Sequence, residues 1–206
     1  MSVFDLASIA AKLRGLGTEA KPSHAGPHAA VAAIFRETKD GAELFFIRRA
    51  EREGDTWSGH IAFPGGRTEP DDADLLATAI RETQEEVGID LTHAELVARL
   101  PDVPAFTTTK KGSFIVAAFV FVVPAEVEVH SNHEVAESFW IPFASLARGE
   151  GKGTYSFTWQ DRPYELPCIR ITPNRYPLWG LTYRMFETML EAVVVPPSGT
   201  GEIAGG

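Results

Sequence analysis

The chain has 206 residues, of which 44% are hydrophobic and 23% charged, and a formal net charge of -9, as expected of one soluble globular domain large enough for its own core. That acidity, with no basic run longer than two residues, excludes a nucleic-acid polymer as the expected partner. No apolar run reaches the ~18 residues of a membrane helix, and residues 1–16 lack the cationic and apolar regions of a secretory signal.

Leu6, Ile9, Ala10 and Leu13 recur at helical spacing after Ser2 and Asp5, which can cap, so a short amphipathic helix is expected there. A loop through Lys21, Pro22, Gly26 and Pro27 follows, and residues 1–27 read as an extension to a domain spanning 28–195. Residues 30–36 and 44–49 read as strands joined by the turn Lys39-Asp40-Gly41. A loop holding Gly54, Asp55 and Gly59 leads to Phe63-Pro64-Gly65-Gly66. Residues 74–87 read as a helix, with Asp71 or Asp72 as its cap and Gly88 as its stop. Strands are expected at 96–100 and at 114–123, the second apolar on both faces and so central in its sheet. Short strands follow at 126–130, 138–141, 155–159 and 164–171. The last of these carries Cys168, the one cysteine, which reads as a buried structural thiol suited to a reducing cytoplasm. Residues 178–193 close the domain as a helix with Leu181, Met185, Met189 and Leu190 inward, and the Gly- and Ser-rich tail 196–206 is expected to be flexible. There is no internal repeat and no second domain, and strands flanked by helices argue for an α/β layered fold.

The helix at 74–87 is the chemically informative element. At about 100° per residue, Leu76, Ile80, Thr83 and Val87 share one face, while Glu82, Glu85 and Glu86 share another at i, i+3 and i+4. Ionised carboxylates that close repel by a few tenths of a kcal/mol per pair, and Mg²⁺ or Mn²⁺, which favour oxygen ligands, would reverse that sign. An ordinary solvated helix face has the same composition. What separates the two readings is the glycine turn a fixed distance upstream, where backbone can come close to a ligand. An acidic protein can bind a small anionic substrate when metal ions supply the positive charge.

Gly66, Arg81, Glu82, Glu85, Glu86, Gly88 and Ile89 fall at the positions of G-x5-E-x7-R-E-U-x-E-E-x-G-U, where U is a bulky apolar residue, and the chain thereby resembles the Nudix hydrolase family. Asp72 stands where that family has Glu, eight residues separate it from Arg81, and Thr83 replaces the apolar U. The Asp and the extra residue are similar to the coenzyme A pyrophosphatase branch, as is Leu178-Trp179-Gly180-Leu181-Thr182-Tyr183-Arg184-Met185 near the end. The resemblance implies an α/β/α sandwich with a mixed central β-sheet. It also implies divalent-metal-dependent cleavage of a nucleoside diphosphate linked to another moiety. Coenzyme A or acyl-coenzyme A is the first expectation; ADP-ribose, a dinucleoside polyphosphate or a nucleoside triphosphate comes second, and a non-catalytic nucleotide sensor is the reading from another class. Glu82, Glu85, Glu86 and the Gly66 carbonyl are the implied ligands for Mg²⁺ or Mn²⁺. Gly65, Asp72, Arg81 and Gly88 are implied as structural, Arg81 pairing with carboxylates to orient them. The general base is Glu85 of the helix or Glu134 of a later loop, with Glu137 close behind it.

Three further groups of residues carry candidate chemistry. His130 and His133 beside Glu134 lack the third and fourth ligands of a zinc site and read as a polar turn. His60 is expected to line the pocket or to be a structural strand histidine. Arg48, Arg49 and Arg52 form the strongest positive cluster, ahead of Lys110 and Lys111, and suit a substrate phosphate; surface pairing with Glu51 and Glu53 explains them equally well. In this stretch the branch pattern Arg-Ser-x-x-Leu-Arg gives way to Arg49-Ala50-Glu51-Arg52-Glu53-Gly54. The expected partner is a small nucleotide, with no membrane; the sequence does not fix the oligomeric state, and a homodimer is compatible with it.

Overall fold

The computed structural model describes residues 4–19, 28–53, 58–105, 114–159, 162–171 and 176–194. The tail at 196–206, Gly54 and Asp55 of the loop, and Lys110 and Lys111 lie outside them.

Asp5 caps α1 (Leu6–Leu13), its carboxylate accepting from the Ser8 N–H at 2.9 Å. After a 3₁₀ turn (Arg14–Leu16), β1 (His28–Thr38) and β2 (Gly41–Arg49) form the expected hairpin, in register from Phe35 opposite Leu44 to Thr38 opposite Gly41. β3 (Ile61–Ala62) and β4 (Gly65–Arg67) precede α2 (Leu75–Val87), followed by β5 (Glu95–Arg99), β6 (Val103–Ala105), β7 (Phe114–Val122) and β8 (Val135–Pro142). The chain closes with α3 (Phe143–Ala147), β9 (Lys152–Trp159), β10 (Arg162–Ile171), β11 (Tyr176–Leu178) and α4 (Gly180–Val194).

The main sheet runs β3-β2-β1-β7-β5, with β8 on β2, β4 on β1 and β6 on β7. β1 and β7 pair in parallel while the other pairs are antiparallel, so the sheet is mixed. Alternation along the strands loads both faces. Phe35, Leu44, Phe46 and Val120 meet Ile9 and Leu13 of α1, Phe143 of α3 and Phe186 and Met189 of α4. Ile34, Phe45, Ile47 and Phe121 meet Leu75, Ala79 and Val87 of α2. Both faces are therefore covered by helices, which is the α/β/α sandwich, and β7 is apolar throughout because it sits between the layers. A separate antiparallel sheet, β11-β10-β9, extends this body. No helix among the described residues is long and apolar enough to cross a membrane.

Several boundaries differ from expectation for local reasons. Asp74 rather than Asp71 or Asp72 caps α2, accepting from Ala77 N–H at 2.9 Å, because Asp72 is held by Arg81. No strand forms at 126–130; a turn forms at Pro124–Val127, and the His130 N–H is spent on the Val87 carbonyl at the end of α2. Tyr176–Leu178 pairs with β10 instead of starting the last helix, and the chain turns into α4 at Gly180, whose φ is +65°. β3, β4, β6 and α3 are too short to leave a periodic signal.

Candidate active site

The site is built where the glycine turn crosses α2. At Gly65, φ is +149° and a Cβ would stand 2.3 Å from the Ala30 carbonyl oxygen, so only glycine lets β4 lie against β1 there. A Cβ on Gly66 would fall 2.4 Å from the Glu82 carboxylate. The bare backbone at this position is what lets that carboxylate lie against β4. Gly88 ends α2 in the left-handed region, with its N–H donating to the Gln84 carbonyl at 3.0 Å.

Arg81 gathers the acidic groups. Its Nε and Nη2 donate to the two oxygens of Asp72 at 2.9 and 3.0 Å, and its Nη1 lies 3.1 Å from both Glu82 Oε1 and Glu85 Oε2. The Arg81 guanidinium holds the Asp72 carboxyl down at about 2. Burial pushes Glu82 up, against the pull of Arg81. Glu86 is more extreme. Helical spacing placed it on the polar face, yet its side chain is only 2% exposed. Burial raises its pKa to about 7, opposed by the Gly65 N–H and by Arg49, and reinforced by Glu82 and Glu134. The Gly65 N–H donates to Glu86 Oε2 at 2.8 Å, and Arg49 Nη1 stands 3.6 Å from Oε1.

Glu134 reaches this group by a route the sequence did not reveal. The last carbonyls of a helix need partners from outside, and residues 130–132 supply them: Asn132 donates from its backbone to the Glu86 carbonyl and from its side chain to the Glu85 carbonyl, both at 2.8 Å. The Asn132 side-chain oxygen accepts the Glu134 N–H at 2.7 Å, an Asx turn whose only trace in the sequence is an Asn two residues ahead. The loop is thus riveted to the end of α2, and Glu134 lies close enough to raise the pKa of Glu82 and Glu86.

The remaining sequence candidates divide. Arg48 and Arg49 end β2 as consecutive residues and so point to opposite faces of the sheet; the register with β8 shifts between them. Arg48 pairs with Glu137 at 2.9 Å and lies over the Tyr176 ring; Arg49 faces Glu86; Arg52 pairs with Glu134 at 2.8 Å. Two of the three arginines therefore stand at the carboxylate group. His60 packs edge-on against Trp179, ring centroids 4.8 Å apart, in a row with Tyr155 and Phe157. His130 and His133 are exposed, as a polar turn requires.

Among the described residues no three His, Cys, Asp or Glu side chains form a ready metal cage, and arginines pair with the carboxylates. The donor set itself suits a hard divalent cation, because three carboxylates and a glycine carbonyl offer oxygen alone. The Glu82 carboxylate lies against the bare backbone of Gly66.

A family profile described as NUDIX domain matches residues 26–159, more than half of the chain. An uncharacterized protein of Schizosaccharomyces pombe is 38% identical over 109 residues, covering 50% of this chain and 32% of that protein, so the chain spans about a third of that relative's length. The mitochondrial coenzyme A diphosphatase NUDT8 of Mus musculus is 32% identical over 151 residues, covering 72% of this chain and 69% of that protein. A crystal structure of a MutT/nudix family protein from Enterococcus faecalis superposes with a TM-score of 0.51 at 15% identity, over 91% of this chain and 68% of that one, a likeness of fold alone.

Proposed function

Because the chain belongs to the Nudix family of pyrophosphohydrolases, we propose that it cleaves the phosphoanhydride bond of a nucleoside diphosphate linked to another moiety, with coenzyme A or an acyl-coenzyme A as first substrate. The products are then 4′-phosphopantetheine, or its acyl form, and adenosine 3′,5′-bisphosphate. The observation that carries the reading is Arg81 holding Glu82 and Glu85 together, with the buried Glu86 on the same helix and with Glu82 and Glu134 near enough to raise its pKa. A pure nucleotide sensor has no need of such clustered carboxylates.

Glu82, Glu85, Glu86 and the Gly66 carbonyl are the groups that hold divalent ions, Mg²⁺ or Mn²⁺. When bound, these stabilise charge on the phosphate oxygens and acidify the attacking water. Arg81 keeps the ligand carboxylates oriented. Glu134 takes the proton of that water as its oxygen attacks phosphorus and the other phosphate departs, and Glu85 is the second candidate for that role. Arg52 is the best placed arginine for a 3′-phosphate. Its pairing with Glu134 is exposed and so worth at most about 1 kcal/mol, whereas Arg48 is tied to both Glu137 and Tyr176. Arg48, Arg49 and His60 complete the substrate-binding side. The coenzyme A assignment draws on the named activity of the NUDT8 relative and on the Asp72 spacing. The buried Cys168 suits a reducing compartment, for which we retain the cytoplasm, while the NUDT8 relative is named as mitochondrial.

The test is product analysis with coenzyme A, dephospho-coenzyme A, ADP-ribose, dinucleoside polyphosphates and nucleoside triphosphates, each with Mg²⁺ and with Mn²⁺. Metal-dependent release of 4′-phosphopantetheine, with a higher kcat/KM for coenzyme A than for dephospho-coenzyme A, is the expected result. Equal values for those two substrates move the assignment to ADP-ribose or a dinucleoside polyphosphate. Binding without product release from any of them establishes the sensor.

A further inference from the structure

We propose that Arg49 is a built-in counter-cation for Glu86, standing against one oxygen of that carboxylate and setting the affinity of the site for divalent ions. The inference rests on the reading of Glu86 as a metal ligand.

Glu86 is nearly sealed from solvent at 2% exposure, and a buried carboxylate needs compensation. Its two oxygens are treated differently. Oε2 accepts the Gly65 N–H at 2.8 Å, a bond fixed by the backbone of β4. Oε1 is the oxygen that remains for a cation, and Arg49 Nη1 stands against it at 3.6 Å. That separation is outside hydrogen-bonding range, so the attraction between these two atoms is between charges. Arg81 does not supply the need: its guanidinium is committed to Asp72, Glu82 and Glu85.

The chain also has a specific means of placing this cation. Arg48 and Arg49 are consecutive on β2 and so project to opposite faces of the sheet, one to Glu137 and Tyr176, the other to Glu86 on the α2 side. A divalent ion held by Glu86 would meet the repulsion of the Arg49 guanidinium and compete with it for that carboxylate. Metal affinity in the absence of substrate is accordingly weaker than the carboxylate set alone would give. Arg49 is in this sense a positioning residue, acting through Glu86.

The experiment is a Mn²⁺ titration of the full-length protein without substrate, with free Mn²⁺ followed by electron paramagnetic resonance. Arg49→Met should lower the Mn²⁺ Kd by about 5–10-fold, the scale of removing one competing charge pair. Arg49→Lys, which keeps the charge, should stay within about twofold of wild type. Arg49→Gln, which retains a donor for Glu86 and so guards against a folding defect in the Met variant, carries the same expectation as Arg49→Met. A metal-free melting curve gives a second readout, because loss of the counter-charge should lower Tm without Mn²⁺ and much less with saturating Mn²⁺. An unchanged or raised Kd in both neutral variants overturns the role of Arg49 and leaves the proposed hydrolase intact. Failure of the wild type to bind Mn²⁺ overturns the metal-ligand reading and the role of Arg49 with it. Neither result depends on which substrate is cleaved.

Discussion

Burial holds the Glu86 carboxyl near pKa 7, against an ordinary value of 4.5, so the metal-free fold keeps a proton there that the unfolded chain has already lost. Between those two values the native state binds more protons than the unfolded state, and stability falls as pH rises. The penalty is absent below about pH 4.5 and complete above about pH 7. Glu86→Gln should therefore melt with wild type at low pH and above it at pH 8, by on the order of 1–3 kcal/mol; calorimetric melts of both proteins without metal across that range check this. The same variant should lose at least about 10²-fold in turnover at saturating Mg²⁺, and full activity would remove Glu86 from the metal site. Glu134→Gln should cut kcat while leaving the Mn²⁺ Kd nearly unchanged, and equal kcat in the two proteins would take Glu134 out of the reaction. Arg52→Ala should erase any preference for coenzyme A over dephospho-coenzyme A, worth about 1.5–3 kcal/mol for a hydrogen bond to a charged group, with hydrolysis of the latter persisting in a direct kcat/KM comparison. At this scale the sequence was a good guide to identity and a poor one to environment. Spacing alone put Glu82, Glu85 and Glu86 together, but a helical wheel treats a face as polar or apolar, and Glu86 sits on the seam where β4 closes over it.

Elements, rather than single side chains, decide whether Glu134 meets the helix. The loop at 130–134 has no helix or strand of its own, and it is placed by capping the last carbonyls of α2. Asn132→Ala removes the side-chain bond to the Glu85 carbonyl and the acceptor for the Glu134 N–H but spares the backbone bond to Glu86. It should lower kcat by roughly 10-fold to 10²-fold, the cost of a misplaced group, with KM much less affected. Steady-state kinetics on whichever substrate the screen identifies will show it, and an unchanged kcat would mean the loop is held by other contacts. The sequence reading found α2, its Gly88 stop and the central strands because each is long enough to show its period. It missed this junction because the decisive bonds run between backbone and one Asn, and it placed a strand at 126–130 where the donors of the chain were needed by the helix.

At the scale of the whole molecule, α1 lies in the same apolar core as α4 and the sheet. Ile9 and Leu13 are fully buried there beside Phe186 and Met189. Leu13→Ala should destabilise the fold by about 2–5 kcal/mol while leaving kcat unchanged below the melting transition; a thermal melt paired with an assay checks both. The layered architecture was legible because strand alternation and helix periodicity agree, whereas the docking of α1 depends on contacts that no local pattern records. The parallel pairing of β1 with β7, from His28 opposite Ile115 to Phe35 opposite Val122, has a consequence for how the chain is made. Those partners are separated by β2 to β6 and α2, so the centre of the sheet closes only across a long loop. Contacts so distant in sequence fold slowly, in roughly milliseconds to seconds, and a ribosome must have delivered β7 before β1 gains its inner neighbour. Until then the growing chain carries β1 with that edge unpaired and both of its apolar faces incompletely covered, which makes the interval before β7 emerges the period of greatest exposure to aggregation.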